Sequence, residues 1–178
     1  MTPQGAGAFF RRFLPGDLIF CMADGAKGGS AIQAYQSKYG YVPKAADTTH
    51  VAIYCGNGKV VHAVRPQVRV EPVFPYFMKR EVCAGRWLPL DTSPKRREAL
   101  GQKIRDHAIG FSGQRYETLR LFRQVIDSKY GGTPLVCSTL VDLAYDAVLG
   151  EDSPVHAGPG PTAPFITPAH LFSRIGFR

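Results

Sequence analysis

Short apolar runs broken by turns fill the first half of the chain, and a helical period takes over in the second. After the turn Pro15-Gly16-Asp17, residues 18–22 form an apolar run that predicts a buried strand. Residues 23–30 are Gly-rich and read as loop, 31–38 predicts a short helix ending near Gly40, and the stretch through Thr49 reads as loop. The clearest local signal follows. Residues 50–55 and 60–64 are two strand-like runs, and Gly56-Asn57-Gly58 between them is a hairpin turn signature. Residues 68–73 read as another strand, since Val68, Val70 and Pro72 alternate with Arg69 and Glu71. Residues 82–90, with the single Trp87, predict a fourth strand after the opening one in this half.

Then the period changes. Ser93-Pro94 is an N-cap followed by proline at the first helical position, so a helix is predicted over 94–109, stopping at Gly110. Residues 116–129 predict a second helix with Leu119, Phe122, Val125 and Ile126 on one face, broken by Gly131-Gly132-Thr133-Pro134. A third is predicted over 136–149, ending at Gly150. Residues 151–166 read as Pro/Gly-rich loop, and Thr167-Pro168 starts a last short helix. Strands first and helices later predict an α+β fold.

Composition narrows the class. At 178 residues, with 44% hydrophobic and 20% charged positions, the chain fits one globular domain spanning 1–178 rather than a disordered segment. The formal charge of +8 points to an anionic partner such as a cell-wall polymer, a lipid headgroup or nucleic acid. The four cysteines form no C-x-x-C pair and no Cys/His cluster has zinc spacing, so no metal, cofactor or disulfide framework is expected. No run approaches 18 apolar residues, so no transmembrane helix is expected. The first fifteen residues do not read as a Sec-type signal peptide. The expectation is therefore residence in the cytoplasm, or export by a route that does not read such a signal.

The candidate chemistry centres on Cys137. It falls in the predicted first turn of the third helix, sharing a face with Leu140, Val141, Ala144 and Val148. Free N–H groups and the helix dipole at such a position favour the thiolate, the form of cysteine that attacks. A packed core cysteine is the competing account. His50 opens a buried strand, and His62 follows twelve residues later in the partner strand. A two-residue turn at Asn57-Gly58 would pair Ile53 with His62 and set the histidines on opposite faces. A three-residue loop with Gly58 as the αL bulge residue would pair Ala52 with His62, making the histidines diagonal neighbours on one face, as a nucleophile, base and orienting group require. His107, His156 and His170 read as incidental.

Gly16-Asp17-Leu18-Ile19-Phe20, Thr49-His50-Val51-Ala52-Ile53-Tyr54, Gly56-Asn57-Gly58-Lys59-Val60-Val61-His62-Ala63 and Val136-Cys137-Ser138-Thr139-Leu140-Val141 together resemble the circularly permuted NlpC-type papain-like group. That group includes the YiiX/YaeF-like bacterial proteins and the lecithin retinol acyltransferase relatives. The likeness covers roughly residues 15–178, with the His-bearing hairpin before the Cys helix, as in permuted members. It implies a papain-like central antiparallel sheet with the nucleophile helix packed on it. It further implies Cys137 as nucleophile, His50 as base, His62 as the orienting residue of the acyltransferase relatives, and Tyr116 lining the substrate site. Residues 117–133 would be an insertion shaping the cleft. The implied activity is that of a cysteine hydrolase acting as amidase or endopeptidase on peptidoglycan stem peptides, for example an antibacterial effector with an immunity or inhibitor protein as partner. The acyltransferase branch implies lipid or thioester substrates instead, and a non-catalytic binding module is the third reading. Nucleic acid is not an expected substrate of this group.

Overall fold

The computed structural model describes residues 12–25, 27–73, 81–86, 93–117, 136–153 and 166–177. Strand β1 (Leu18–Met22) leads to helix α1 (Lys27–Lys38) and a single turn of helix, α2 (Pro43–Ala46). Strands β2 (Thr48–Gly56), β3 (Lys59–Val64), β4 (Gln67–Pro72) and β5 (Val82–Arg86) follow. Helices α3 (Pro94–Gly110), α4 (Cys137–Leu149) and α5 (Pro168–Arg174) come next, and a two-residue strand, β6 (Gly176–Phe177), closes the chain. The six strands make one sheet in the order β4-β3-β2-β1-β5-β6, with every pairing antiparallel. The fold is α+β, as the strand-then-helix order predicts. No described helix is long and apolar enough to cross a membrane.

The period-2 pattern sorts the strands onto two faces. One face carries Leu18, Phe20, Val51, Ile53, Val61 and Ala63, covered by Leu140, Val141 and Ala144 of α4, Ile104 and Ala108 of α3, and Leu171 and Phe172 of α5. Phe20 meets Phe172 edge-on, with ring centroids 5.4 Å apart. Full burial of each such aliphatic side chain stabilises the fold by about 1.5–3 kcal/mol. The other face carries Ile19, Cys21, Ala52, Tyr54, Val60 and Ala84, with Phe13 packed against them.

Helix α3 rests on the entry to β1 through glycine. A Cβ on Gly101 would fall 2.0 Å from the Pro15 carbonyl oxygen, so the backbones touch where any side chain would part them. Tyr145 of α4 donates its hydroxyl to the Gly16 carbonyl at 2.6 Å, and an Asp17–Arg86 ion pair joins β1 to β5. Gln36, fully buried on α1, donates to the carbonyls of Ala46 and Thr48 and accepts from the Ala169 N–H, which ties α1, the start of β2 and α5 together.

The structure differs from the prediction in the stretch 23–49. Helix α1 begins at Lys27, taking in Gly28 and Gly29 from the predicted loop, and α2 lies in a stretch also read as loop. Strand β5 is described as Val82–Arg86, and Trp87 with the rest of the predicted 82–90 run lies outside the described residues. Most of the predicted 116–129 helix does too; its first two residues, Tyr116 and Glu117, are described and are not helical.

Candidate functional site

The β2–β3 hairpin decides where the histidines go. Asn57 and Gly58 both take positive φ, 51° and 67°, making a two-residue turn closed by the Gly56–Lys59 pair. Such a turn alone would set Ile53 opposite His62. An extra residue at Cys55, where the register shifts, instead pairs Tyr54 with Val60 and Ile53 with Val61. Carried one step further, that register puts Ala52 opposite His62. The histidines therefore share a face, as the second predicted register requires, but the extra residue is Cys55 in the strand rather than Gly58 in a three-residue loop.

The contact between the rings is direct. His50 Nε2 lies 2.9 Å from His62 Nδ1, and the rings meet edge-on with centroids 5.1 Å apart. His62 Nε2 lies 2.8 Å from Glu71 Oε1 on β4. The His62 side chain is fully buried while that of Glu71 is 27% exposed, so the imidazole has a partner at each nitrogen and the carboxylate keeps a hold on solvent. Glu71 was not a predicted site residue. Its signal in the sequence is the alternation that puts it on one face of β4, but linking that face to His62 needs the β3–β4 register, in which Arg69 lies opposite His62 and Glu71 opposite Val60.

Cys137 is the first residue of α4, and it is buried at 4% exposure. The helix start is fixed by Thr139, whose Oγ1 accepts from the Val136 N–H at 2.8 Å, and by Ser138, whose hydroxyl donates to the Ile166 carbonyl at 2.7 Å. Cys137 belongs to the helix-covered face, whereas His50 pairs with Cys21 and sits on the opposite one. A break in the sheet relates them. Among the described residues the β2–β3 pairing runs no further than Ile53–Val61, while β2 continues along β1 and β3 continues along β4. Tyr54 spends its backbone groups on β1, donating to the Asp17 carbonyl and accepting from the Gly16 N–H. Backbone direction alternates along an antiparallel strand, so Val51 points its N–H toward β3, into the opening. That N–H meets the Cys137 sulfur, one peptide link from His50.

The electrostatics of the thiol run against the prediction from helix position. The N–H groups of Val51, Ser138 and Cys137 favour the thiolate, but burial outweighs them and pushes the Cys137 pKa up to about 11. Burial likewise lifts Cys55, to about 12, and raises Cys83. All four cysteines are thiols. A Cys137 thiolate near neutral pH therefore needs a base to take its proton. Tyr116 is half-buried beside the β3–β4 turn, where its N–H donates to the Pro66 carbonyl at 2.9 Å, three residues beyond Ala63. Residues 113–116 lie along the start of β4, with the Val68 N–H donating to the Gln114 carbonyl.

The structure thus brings His50, His62 and Glu71 together and sets the Cys137 sulfur beside the residue that follows His50. No protein-family model, curated protein or solved structure matches the chain.

Proposed function

We propose that the chain is a cysteine acyl hydrolase of the permuted NlpC-type, papain-like class, with Cys137 as nucleophile, His50 as base and His62 orienting the base. The observation that carries this reading is the 2.9 Å His50–His62 contact at the strand opening where the Cys137 sulfur meets the Val51 N–H. His62 engages Nε2 of His50, so Nδ1 is the nitrogen that takes the thiol proton. The sulfur then attacks an acyl carbon, and the imidazolium returns the proton to the leaving nitrogen or oxygen as its bond to carbon breaks. Water releases the acyl group from the thioester in a second round, losing its proton to the same nitrogen.

The substrate proposed is an amide of a peptidoglycan stem peptide. The +8 charge suits an anionic wall polymer, and in this reading Tyr116, whose N–H donates to the Pro66 carbonyl beside the β3–β4 turn, lines the approach. A lipid or thioester acyl group is the second reading, favoured by a histidine rather than another polar residue against the base, as in the acyltransferase relatives. Incubation with purified peptidoglycan and with phospholipid vesicles, each against Cys137→Ala, tests both. New amino termini from peptidoglycan support the first reading, and released fatty acid or lysolipid supports the second. Products unchanged by Cys137→Ala, or none from either substrate, count against the assignment.

A further inference from the structure

We propose that Glu71 is a positioning residue that sets the tautomers of both histidines and so decides which nitrogen of His50 serves as base. The inference rests on the Cys137–His50 reading above. Glu71, His62 and His50 form an oblique line across β4, β3 and β2, with each contact spanning one strand spacing.

An ionised carboxylate only accepts hydrogen bonds. Glu71 Oε1 therefore requires a proton on His62 Nε2, and a neutral His62 then presents Nδ1 as an acceptor. The 2.9 Å contact to that atom is filled only by a proton on His50 Nε2. A neutral His50 with its proton there carries its lone pair on Nδ1, the nitrogen that must take the proton from sulfur. One carboxylate at the far end of the line thus determines the state of a ring it does not touch. Without it the His50–His62 bond has two directions of similar energy. The reversed one, with Nδ1–H on His62 donating to His50 Nε2, moves the proton of His50 to Nδ1 and leaves no base for the thiol. In a comparable triad the wrong tautomer costs about 10⁴-fold in turnover.

Other groups face this line. Cys21 of β1 lies opposite His50, Arg69 of β4 lies opposite His62, and Cys137 approaches from the helix side. Arg69 is exposed and carries a charge that disfavours an imidazolium, so Glu71 is the anion in this set that favours it.

The test uses the full chain labelled with ¹⁵N, two-bond ¹H–¹⁵N correlation spectra of the imidazoles, and His50→Ala and His62→Ala to assign them. The expected wild-type result is Nε2–H on both rings. In Glu71→Gln, whose amide both donates and accepts, the two rings should show mixed tautomers, and Glu71→Asp should restore part of the wild-type state. On whichever substrate the enzyme cleaves, Glu71→Gln should lower kcat by about 10-fold or more with little change in KM, less than the 10²–10⁴-fold expected for loss of the base. A wild-type spectrum with Nδ1–H on His62 overturns the proposal without any variant, and so does Glu71→Gln with wild-type tautomers and kcat. Iodoacetamide labelling of Cys137 separates this outcome from failure of the underlying reading: if His50→Ala leaves the pH dependence of labelling unchanged, the nucleophile–base pair itself is wrong.

Discussion

The Cys137 sulfur meets the backbone N–H of Val51, an amide that strand β3 would take up had the sheet continued. This contact brings the start of α4, on the helix-covered face, to the strand that carries His50, at a gap in the β2–β3 pairing. It also separates two influences on the thiol. Backbone N–H groups favour the anion, and exclusion of water opposes it more strongly.

The balance between them can be measured at Cys137. With His50 present, iodoacetamide labelling should begin near neutral pH, because the proton passes to the imidazole rather than to water. In His50→Ala that route is gone, and the inflection should rise toward about 11, the level to which burial pushes this thiol. Peptide-resolved mass spectrometry across pH 6–11 reads both curves. Coincident curves would show that His50 does not act on the thiol.

The two histidines should differ in kind. His50→Ala should remove nearly all activity, as Cys137→Ala should, and the double variant should be no worse than either, because residues acting as a unit are strongly non-additive. His62→Ala should keep a measurable residue of activity. His62→Asn and His62→Gln should keep more, since each can hold a hydrogen bond to the His50 ring. Steady-state kinetics of the six variants decides this, and full activity in His62→Ala would remove the orienting role.

Gly101→Ala tests the contact between α3 and the entry to β1. The added methyl falls on the Pro15 carbonyl oxygen, which is backbone and cannot swing aside. Overpacking of this kind costs about 1–3 kcal/mol. The urea midpoint should fall accordingly with the m-value unchanged. An unchanged midpoint would mean that α3 moves away freely.

Gln36→Met keeps the length of the side chain but leaves the Ala46 and Thr48 carbonyls and the Ala169 N–H without it. Each buried polar group left unsatisfied costs about 1–3 kcal/mol. The variant should be among the least stable single substitutions in the molecule by urea denaturation. A loss below about 1 kcal/mol would show that water replaces the amide.

Much of this architecture is legible in the sequence where local chemistry is decisive. Ser93-Pro94 and Thr167-Pro168 mark the starts of α3 and α5, and in both the hydroxyl oxygen accepts from the N–H three residues on. Asn57-Gly58 marks the hairpin. Where contacts distant in sequence decide, reading fails. Gly28-Gly29 argues for loop by propensity, yet both lie in α1; at Gly29, which passes beside Thr49, a Cβ would meet the threonine Cγ2 at 3.6 Å, an ordinary contact, so close approach does not demand glycine there. The bulge at Cys55 has no signature of its own, although the facing of His62 depends on it. Glu71 becomes visible only once two strand registers are known. The helix-terminal position of Cys137 correctly indicates N–H groups around the sulfur, but burial, a property of the assembled fold, reverses their net effect.

The meeting of Cys137 with Val51 joins parts of the chain far apart in sequence, and contacts of that kind are slow to form. Whenever the first turn of α4 lifts from the sheet, the thiol and the Val51 amide reach water in the same event. In a variant lacking His50, slow alkylation of Cys137 and slow exchange of the Val51 amide proton would then report one opening, observed by two independent chemistries. The sulfur becomes a clock for how often the first turn of α4 leaves the strand opening while the rest of the sheet stays folded.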